Sequence, residues 1–316
     1  MGQMIDGCWH VEAGSGGKPG KDGAWERTPS IIRNWVGSDG DFPAEQGRYH
    51  LYAAWNCPWA HRVLLARALL GLDDALPVSY VAPRRGEAGW VFNAEGAFQD
   101  HQFGATALHE VYARGHPAYT GRVTVPLLYD SISERLVSNE SADILRMLGT
   151  VFLPFARRPR DLVPSDLRAD IDALNATIHT GLNNAVYRAG FAETQEAYEP
   201  AVETVFETLD MLEARLADRR WLMGAEVTEP DIRLFPTLAR FDVAYHVAFR
   251  CTRRRLIDYP RLWNYARRFH ALAGVAETVK PDIYRKGYFS ASPGRNPLGI
   301  VPVATDISWA LSGADL

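Results

Sequence analysis

Apolar residues in the second half of the chain recur every three or four positions, which predicts a series of amphipathic helices. The first stripe runs from 167 to 186 and the second from 198 to 216. Two further stripes occupy 234–245 and 262–272. The carboxy-terminal half is therefore predicted to be all-helical.

The first half of the chain has a different pattern, in which short apolar runs alternate with two helical segments. A stretch predicted to be irregular, 83–123, separates the two parts of this pattern. In chain order the predicted elements are strand 49–55, helix 58–72, strand 76–82, strands 124–130 and 135–139, and helix 140–149. The order β-α-β, insertion, β-β-α is that of the thioredoxin-like architecture, so we expect an α/β domain followed by an all-α domain.

These patterns predict four segments along the chain. Residues 1–44, which include a loose glycine-rich stretch, form an amino-terminal extension, and 45–152 form the thioredoxin-like domain. A linker at 153–165 is predicted from three prolines and a cluster of charged residues. The helical domain, with a carboxy-terminal tail, covers 166–316.

Composition restricts the class of protein. The 316 residues carry a net charge of −4, which argues against nucleic acid or an anionic membrane surface as a partner. There is neither the apolar core of a signal peptide nor a run of about 18 apolar residues. Three widely spaced cysteines do not suggest a disulfide framework, and we expect a reducing cytoplasm. No zinc-ligand spacing and no H-E-x-x-H pattern occurs, so no metal is expected.

A single cysteine, Cys57, stands at the start of the predicted helix 58–72. Pro58 suits the first helical position, and the positive end of the helix dipole favours thiolate over thiol. Ala60 occupies the position at which a second cysteine would complete a C-x-x-C pair. A buried structural cysteine is the alternative interpretation.

Two later segments suggest what this sulfur acts upon. Val125-Pro126 opens a strand where thioredoxin-like domains carry a cis-proline, which would turn the Val125 backbone toward Cys57. Glu140 and Ser141 begin a helix whose amino terminus is able to bind a carboxylate, with Glu140 as a partner for an ammonium group. Together these features describe a pocket for glutathione, whereas the alternative is that Glu140-Ser141 is only a helix cap.

The motifs NCPWAHR, GWVF, RVTVPLLYD, SNESADI, NNAVYRAGFA and ARFDVAYHVAFRC together resemble the Xi-class glutathione transferases, the glutathionyl-hydroquinone reductases. The resemblance extends from about residue 30 to about residue 295 and implies a thioredoxin-like domain, a helical domain and a homodimer. It implies that Cys57 is the nucleophile and that Tyr187 is the proton donor. It further implies that Tyr245 and Tyr288 hold the thiolate. The implied glutathione contacts are Trp90, Arg122, Val125, Glu140 and Ser141.

The implied reaction converts a glutathionyl-hydroquinone and glutathione into a hydroquinone and oxidised glutathione, with glutathione as co-substrate. Tyrosines serve such chemistry as proton donors and acceptors when their pKa is lowered. Each tyrosine taken alone is also explained as a packed core residue, and Trp90 either lines the site or fills the core. Two other functions remain open: an Omega-like thiol transferase or dehydroascorbate reductase, and a non-catalytic binding protein with the transferase fold.

Overall fold

The computed structural model describes residues 2–12, 20, 22–37, 40–292 and 294–303. Most of the glycine-rich part of the leader and the tail after 303 therefore lie outside the described residues. The chain forms two units, Met1–Gly17 with Arg27–Arg160, and Lys18–Glu26 with Asp161–Leu316. The change of unit after Arg160 falls inside the segment predicted as a linker, and the predicted extension 1–44 is divided between both units.

A four-stranded sheet organises the first unit. It follows a short hairpin of β1 (Gln3–Ile5) and β2 (Cys8–His10). The strands of the sheet are β3 (Tyr49–Ala53), β4 (Val78–Tyr80), β5 (Leu127–Asp130) and β6 (Arg135–Ser138). Their order is β4-β3-β5-β6, with β4 parallel to β3 and the other two pairs antiparallel. This mixed sheet confirms the predicted thioredoxin-like architecture.

Three helices accompany the sheet: α1 (Pro58–Leu70), α2 (Leu108–Gly115) and α3 (Ser141–Leu148). The prediction that 83–123 is irregular is wrong at α2. This helix buries only Leu108, Val111 and Tyr112, which is one short apolar face. Because so few positions are apolar, the helical period does not stand out in the sequence.

Part of the extension lies along the edge of the sheet. The Asn34 N–H donates to the Val137 carbonyl at 2.8 Å, and the Asn139 N–H donates to the Ile32 carbonyl at 3.0 Å. These bonds pair the residues just before the α3 amino terminus with another stretch of backbone. The extension therefore helps to position the start of α3.

The second unit is helical, as predicted. Its helices are α4 (Arg168–Ile178), α5 (Ala185–Phe191), α6 (Gln195–Arg215), α7 (Glu229–Arg240), α8 (His246–Ala248), α9 (Pro260–His270) and α10 (Pro281–Tyr288). The stripe at 167–186, predicted as one helix, is interrupted by a π-helical turn at His179–Asn183. A second π-helical turn, Phe241–Tyr245, follows α7. Among the described residues, none of the helices combines the length and apolarity needed to span a bilayer.

Candidate active site

Cys57 is the residue that caps the amino terminus of α1. Its backbone is extended, with φ of −82°, and its sulfur accepts the Ala60 N–H at 3.5 Å. The thiol lies 3.5 Å from the Val125 carbonyl oxygen, to which it donates when protonated. Cys57 is half-buried, unlike Cys251, whose complete burial raises the pKa of its thiol to about 12. The interpretation of Cys57 as a sealed core cysteine is therefore not supported.

Local sequence accounts for the position of this sulfur. Pro58 occupies the first helical position, where a missing N–H costs nothing. The Cys57 N–H donates to the Ala54 carbonyl at 3.1 Å, so the turn between β3 and α1 is closed before the helix begins. Ala60 is fully buried at the place where a second cysteine would stand. The chain thus presents one thiol to the amino terminus of a helix.

The Val125–Pro126 peptide bond is cis, as predicted from the sequence. Val125 precedes β5 and is almost completely buried beside the sulfur. The structure therefore brings together two sequence-predicted residues that are 68 positions apart.

Glu140 and Ser141 lie at the amino terminus of α3, as expected. Glu140 is the capping residue, and its carboxylate accepts the Ala142 N–H at 3.0 Å. Burial by itself would raise the pKa of Glu140, but this hydrogen bond and the positive charge of Arg62 outweigh it and lower the pKa. The buried Ser141 hydroxyl donates to the same carboxylate at 3.4 Å. An ionised carboxylate and a helix amino terminus therefore occur side by side.

Arginines gather in this unit around Trp59 and Trp90. The guanidinium carbon of Arg27 lies 4.1 Å from the centroid of Trp59, which follows Cys57 by two positions. Arg62 faces the same ring at 4.4 Å. Arg85 lies over the buried Trp90 at 4.8 Å.

Arg122 belongs to the same positive region. Burial lowers the pKa of Arg122, and the charges of Arg27 and Arg85 lower it further. One of its nitrogens donates to the Thr28 carbonyl at 3.5 Å. Several guanidinium groups in one region favour an anionic ligand.

In the second unit the three sequence-predicted tyrosines come together. The hydroxyls of Tyr187 and Tyr288 are 2.6 Å apart, and those of Tyr245 and Tyr288 are 3.1 Å apart. Burial raises the pKa values of Tyr245 and Tyr288 well above their usual value. These two phenols therefore stay protonated and act as hydrogen-bond donors near neutral pH. We refer to Tyr187, Tyr245 and Tyr288 as the tyrosine trio.

Aromatic side chains hold Tyr187 in place. Its ring lies 6.0 Å from Phe191 in a parallel arrangement and 5.1 Å from Phe249 at a steep angle. Trp25, which the chain supplies from the predicted extension, stacks on Tyr187 at 5.9 Å and on Phe191 at 5.5 Å. The extension therefore contributes directly to the surroundings of the trio.

The motif YRAGFA has a packing explanation at its glycine. A Cβ atom on Gly190 would lie 2.2 Å from Cγ of Phe249, so only glycine lets that ring pack against α5. Arg250 then fastens the end of α5, because its guanidinium donates to the carbonyls of Ala189 and Gly190 at 3.2 and 3.3 Å.

Sequence reasoning missed several residues of these two groups. They are Trp25, Arg27, Arg62, Arg85, Phe191 and Phe249. Phe191 and Phe249 lie inside motifs that the resemblance used, YRAGFA and VAFRC, but no local pattern distinguished them. Arg62 likewise lies inside the motif NCPWAHR, whereas Arg27 and Arg85 carry no signal, because single basic residues are common on solvated surfaces. Within the described ranges, no group of three or more His, Cys, Asp or Glu side chains is arranged to hold a metal ion.

Two family models match the chain. The model of the glutathione S-transferase amino-terminal domain matches residues 56–151. The model of the glutathione S-transferase carboxy-terminal domain matches residues 195–268.

Curated and solved relatives match nearly the whole chain. The glutathionyl-hydroquinone reductase PcpF of Sphingobium chlorophenolicum is 45% identical over 96% of both chains. The structure of a Xi-class glutathione transferase from Natrialba magadii is similar with a TM-score of 0.90 and 40% identity, covering 99% of this chain and 96% of that one. The glutathione-bound structure of the Escherichia coli homologue YqjG gives a TM-score of 0.88 and 40% identity, covering 98% of this chain and 97% of that one.

Proposed function

The chain belongs to the glutathione S-transferases, in their Xi class, and on this premise we propose that it reduces glutathionyl-hydroquinones to hydroquinones with glutathione as reductant. The observation that carries the proposal is the hydrogen-bonded tyrosine trio. A thiol transferase that acts on disulfides has a sulfur leaving group and needs no proton donor beside an aromatic ring. A reductase that cleaves a bond between sulfur and an arene does need one.

In this proposal the first unit holds glutathione. The amino terminus of α3, with the Ser141 hydroxyl, receives a glutathione carboxylate, and the ionised Glu140 pairs with the ammonium group. The Val125 backbone pairs with the tripeptide in the manner of an added strand. Arg122 supplies positive charge, and Trp90 lines the glutathione site.

The Cys57 thiolate then attacks the glutathione sulfur of the conjugate. A disulfide forms between Cys57 and glutathione, and the bond between that sulfur and the ring carbon breaks. Direct cleavage would expel an aryl carbanion, which is a very poor leaving group. Protonation of the ring carbon and loss of a ring hydroxyl proton first give a keto tautomer, from which the leaving group is a stabilised enolate.

Tyr187 is proposed to deliver the ring proton. Its hydroxyl is within hydrogen-bond reach of Tyr288, which in turn reaches Tyr245, so the proton released by the ring hydroxyl returns to Tyr187 along the trio and no phenol is left ionised. Tyr245 and Tyr288 remain protonated, and such hydroxyls also stabilise a thiolate by donating to it. A positioned proton donor contributes about 10²–10⁴-fold to rate.

A second glutathione completes the cycle. Its thiolate attacks the mixed disulfide, oxidised glutathione leaves and the Cys57 thiolate is restored. Ala60 offers no thiol that would compete by closing an internal disulfide, and the free cysteines Cys8 and Cys251 lie elsewhere in the chain.

We also infer that the chain works as a homodimer in the cytoplasm. Three free cysteines, one of them on the surface, are compatible with a reducing compartment. Light scattering coupled to gel filtration tests the dimer, and cell fractionation tests the location. A monomeric mass at micromolar concentration would contradict the first inference, and recovery from an oxidising compartment would contradict the second.

The central test uses a glutathionyl-benzohydroquinone and glutathione as substrates. Cys57→Ser is expected to abolish turnover, while Cys8→Ser, which removes an exposed thiol, leaves it unchanged. Equal turnover by wild type and Cys57→Ser would contradict the mechanism. Tyr187→Phe separates the reductase from a thiol transferase: loss of dethiolation with disulfide exchange intact supports the reductase.

A further inference from the structure

We propose that Arg295 forms an anion-binding subsite beside the tyrosine trio, and that the enzyme thereby prefers glutathionyl-hydroquinones whose ring carries an acidic substituent. This inference rests on the proposed function, because it concerns which substrates that reaction accepts. It adds a residue that neither the motifs nor the chemistry of the trio required.

Hydrogen bonds fix the backbone on which Arg295 stands. The Asn296 N–H donates to the Ser292 carbonyl at 3.0 Å and closes a turn. The Asn296 side-chain amide donates to the Phe289 carbonyl at 2.6 Å and to the Ile300 carbonyl at 3.0 Å. Phe289 directly follows α10, whose last residue is Tyr288, so the turn is anchored next to the trio.

The side chain of Arg295 lies on the aromatic layer that holds Tyr187. Its guanidinium carbon is 4.3 Å from the centroid of Phe191 and 5.9 Å from that of Phe249. Both rings contact Tyr187. An aromatic substrate placed against Tyr187 would therefore have a cation within the same layer.

In the described part of the chain, no hydrogen bond or ion pair joins the Arg295 guanidinium to an acceptor. Arg250 provides an instructive contrast, since its guanidinium donates to the carbonyls of Ala189 and Gly190. Burial lowers the pKa of Arg295 and the charge of Arg250 lowers it further, which outweighs the opposite effect of the Tyr187 and Tyr288 phenols. A half-buried guanidinium that has no anionic partner among the described residues would be stabilised by an anion.

The chemistry of guanidinium defines the anion. Its planar arrangement of donors matches a carboxylate through two parallel hydrogen bonds. A ring hydroxyl is neutral near pH 7, because phenols have a pKa of about 10, so it competes weakly for such a partner. A carboxylate attached to the hydroquinone ring is permanently charged at that pH. Ring-carboxylated glutathionyl-hydroquinones are therefore the substrate class that the subsite fits.

The test compares two substrates, the glutathione conjugate of hydroquinone and that of 2,5-dihydroxybenzoate. Arg295→Met keeps the packing on Phe191 but removes the charge. It is expected to lower kcat/KM for the carboxylated substrate about 10- to 100-fold and to change the uncharged substrate less than about threefold. Arg295→Lys keeps the charge without the paired donors and is expected to retain part of the preference.

Arg253→Met is the matched control. The Arg253 guanidinium also lies over a phenylalanine, Phe206 at 5.2 Å, but it is paired with Glu203. This variant is expected to leave the ratio between the two substrates unchanged. If Arg295→Met lowers kcat/KM equally for both substrates, the ratio between them is unchanged. That result would assign Arg295 a packing role and overturn the subsite.

A binding measurement separates this inference from the proposed function. Trp25 stacks on Phe191, so quenching of tryptophan fluorescence by free 2,5-dihydroxybenzoate reports on ligands that reach this layer. Arg295→Met is expected to weaken that binding at least tenfold. If wild type turns over neither conjugate but shows this charge-dependent binding, the proposed function falls and the subsite stands. Equal binding by wild type and Arg295→Met overturns the subsite.

Discussion

The hydroxyl of Tyr288 lies between two others, 2.6 Å from that of Tyr187 and 3.1 Å from that of Tyr245. Tyr187 and Tyr288 are 101 positions apart and belong to different helices, α5 and α10. Tyr288 is the member shared by these two hydrogen bonds, so its hydroxyl links that of Tyr187 to that of Tyr245.

Tyr288→Phe removes the middle hydroxyl but keeps the ring. We expect kcat/KM for a glutathionyl-hydroquinone to fall about 100-fold, because Tyr187 loses the partner that orients and re-protonates it. Steady-state kinetics measure this effect, with disulfide exchange followed in parallel.

Tyr284→Phe is the control for that variant. Tyr284 lies one turn earlier on α10, is fully buried and donates to the Thr278 carbonyl at 3.2 Å. Loss of the Tyr284 hydroxyl is expected to lower the free energy of unfolding by about 1 kcal/mol, with little change in kcat/KM. Equal rate losses in the two variants would mean that a general loosening of α10, and not the trio, is responsible.

Gly190→Ala tests the packing beneath Tyr187. In a helix this change usually stabilises by about 0.5–1 kcal/mol, because glycine is a poor helix former. Here the new Cβ would lie 2.2 Å from Cγ of Phe249, and we expect a net destabilisation of about 1–3 kcal/mol together with lower kcat/KM. Urea denaturation measures whether the free energy of unfolding falls or rises in Gly190→Ala. Gly37→Ala, whose Cβ would meet only Trp35 among the described residues, at 3.9 Å, is the control, and a more stable Gly190→Ala would contradict the packing argument.

Glu140→Gln removes the charge proposed to receive the glutathione ammonium group. We expect glutathione affinity to fall about tenfold, since charge-assisted hydrogen bonds exceed neutral ones, while kcat at saturating glutathione changes little. Isothermal titration measures the affinity. Asp143→Asn, which disrupts the ion pair between this α3 residue and Arg33, serves as the comparison and is expected to bind normally. Unchanged affinity in Glu140→Gln would remove this residue from the glutathione site.

His50 predicts a pH dependence of stability. Burial lowers the pKa of His50 to about 4, and its Nε2 lies 2.8 Å from the Ser79 hydroxyl. In the unfolded chain the same group has a pKa near 6.5, so the unfolded state binds the proton first as the pH falls. The contribution of neutral His50 to the free energy of unfolding is fully present above about pH 6.5. It decreases by about 3 kcal/mol as the pH falls to 4.

Urea denaturation between pH 4.5 and 7 measures this slope. His50→Gln retains a polar partner for Ser79 without a titrating group, and its slope is expected to be shallower than that of wild type. His109 and His270, whose pKa values burial also lowers, contribute to both proteins and cancel in the comparison. Parallel slopes would show that His50 is not the group responsible.

Local sequence was sufficient to predict the elements that are marked by a capping pattern or by a regular apolar period. Cys57 could be placed at a helix start because Pro58 and the following apolar period mark that boundary. The four carboxy-terminal stripes identified helices for the same reason, although periodicity did not reveal the π-helical turn at His179–Asn183 inside the first of them. A π turn shifts the phase of a helix by one residue, and apolar neighbours conceal so small a shift.

Sequence by itself determined which residue types are available to the chemistry: one thiol ahead of a helix, a Val-Pro pair, an acid and a serine at a second helix start, and tyrosines within recognisable motifs. Only the tertiary structure decided that Trp25 stacks on Tyr187, that several arginines gather near Trp59 and Trp90, and that Arg295 lies over Phe191. Most of these contacts join residues that are far apart in the sequence, although Arg85 and Trp90 are only five positions apart. Their geometry depends on how whole elements pack, and the local period of a sequence carries no record of that packing.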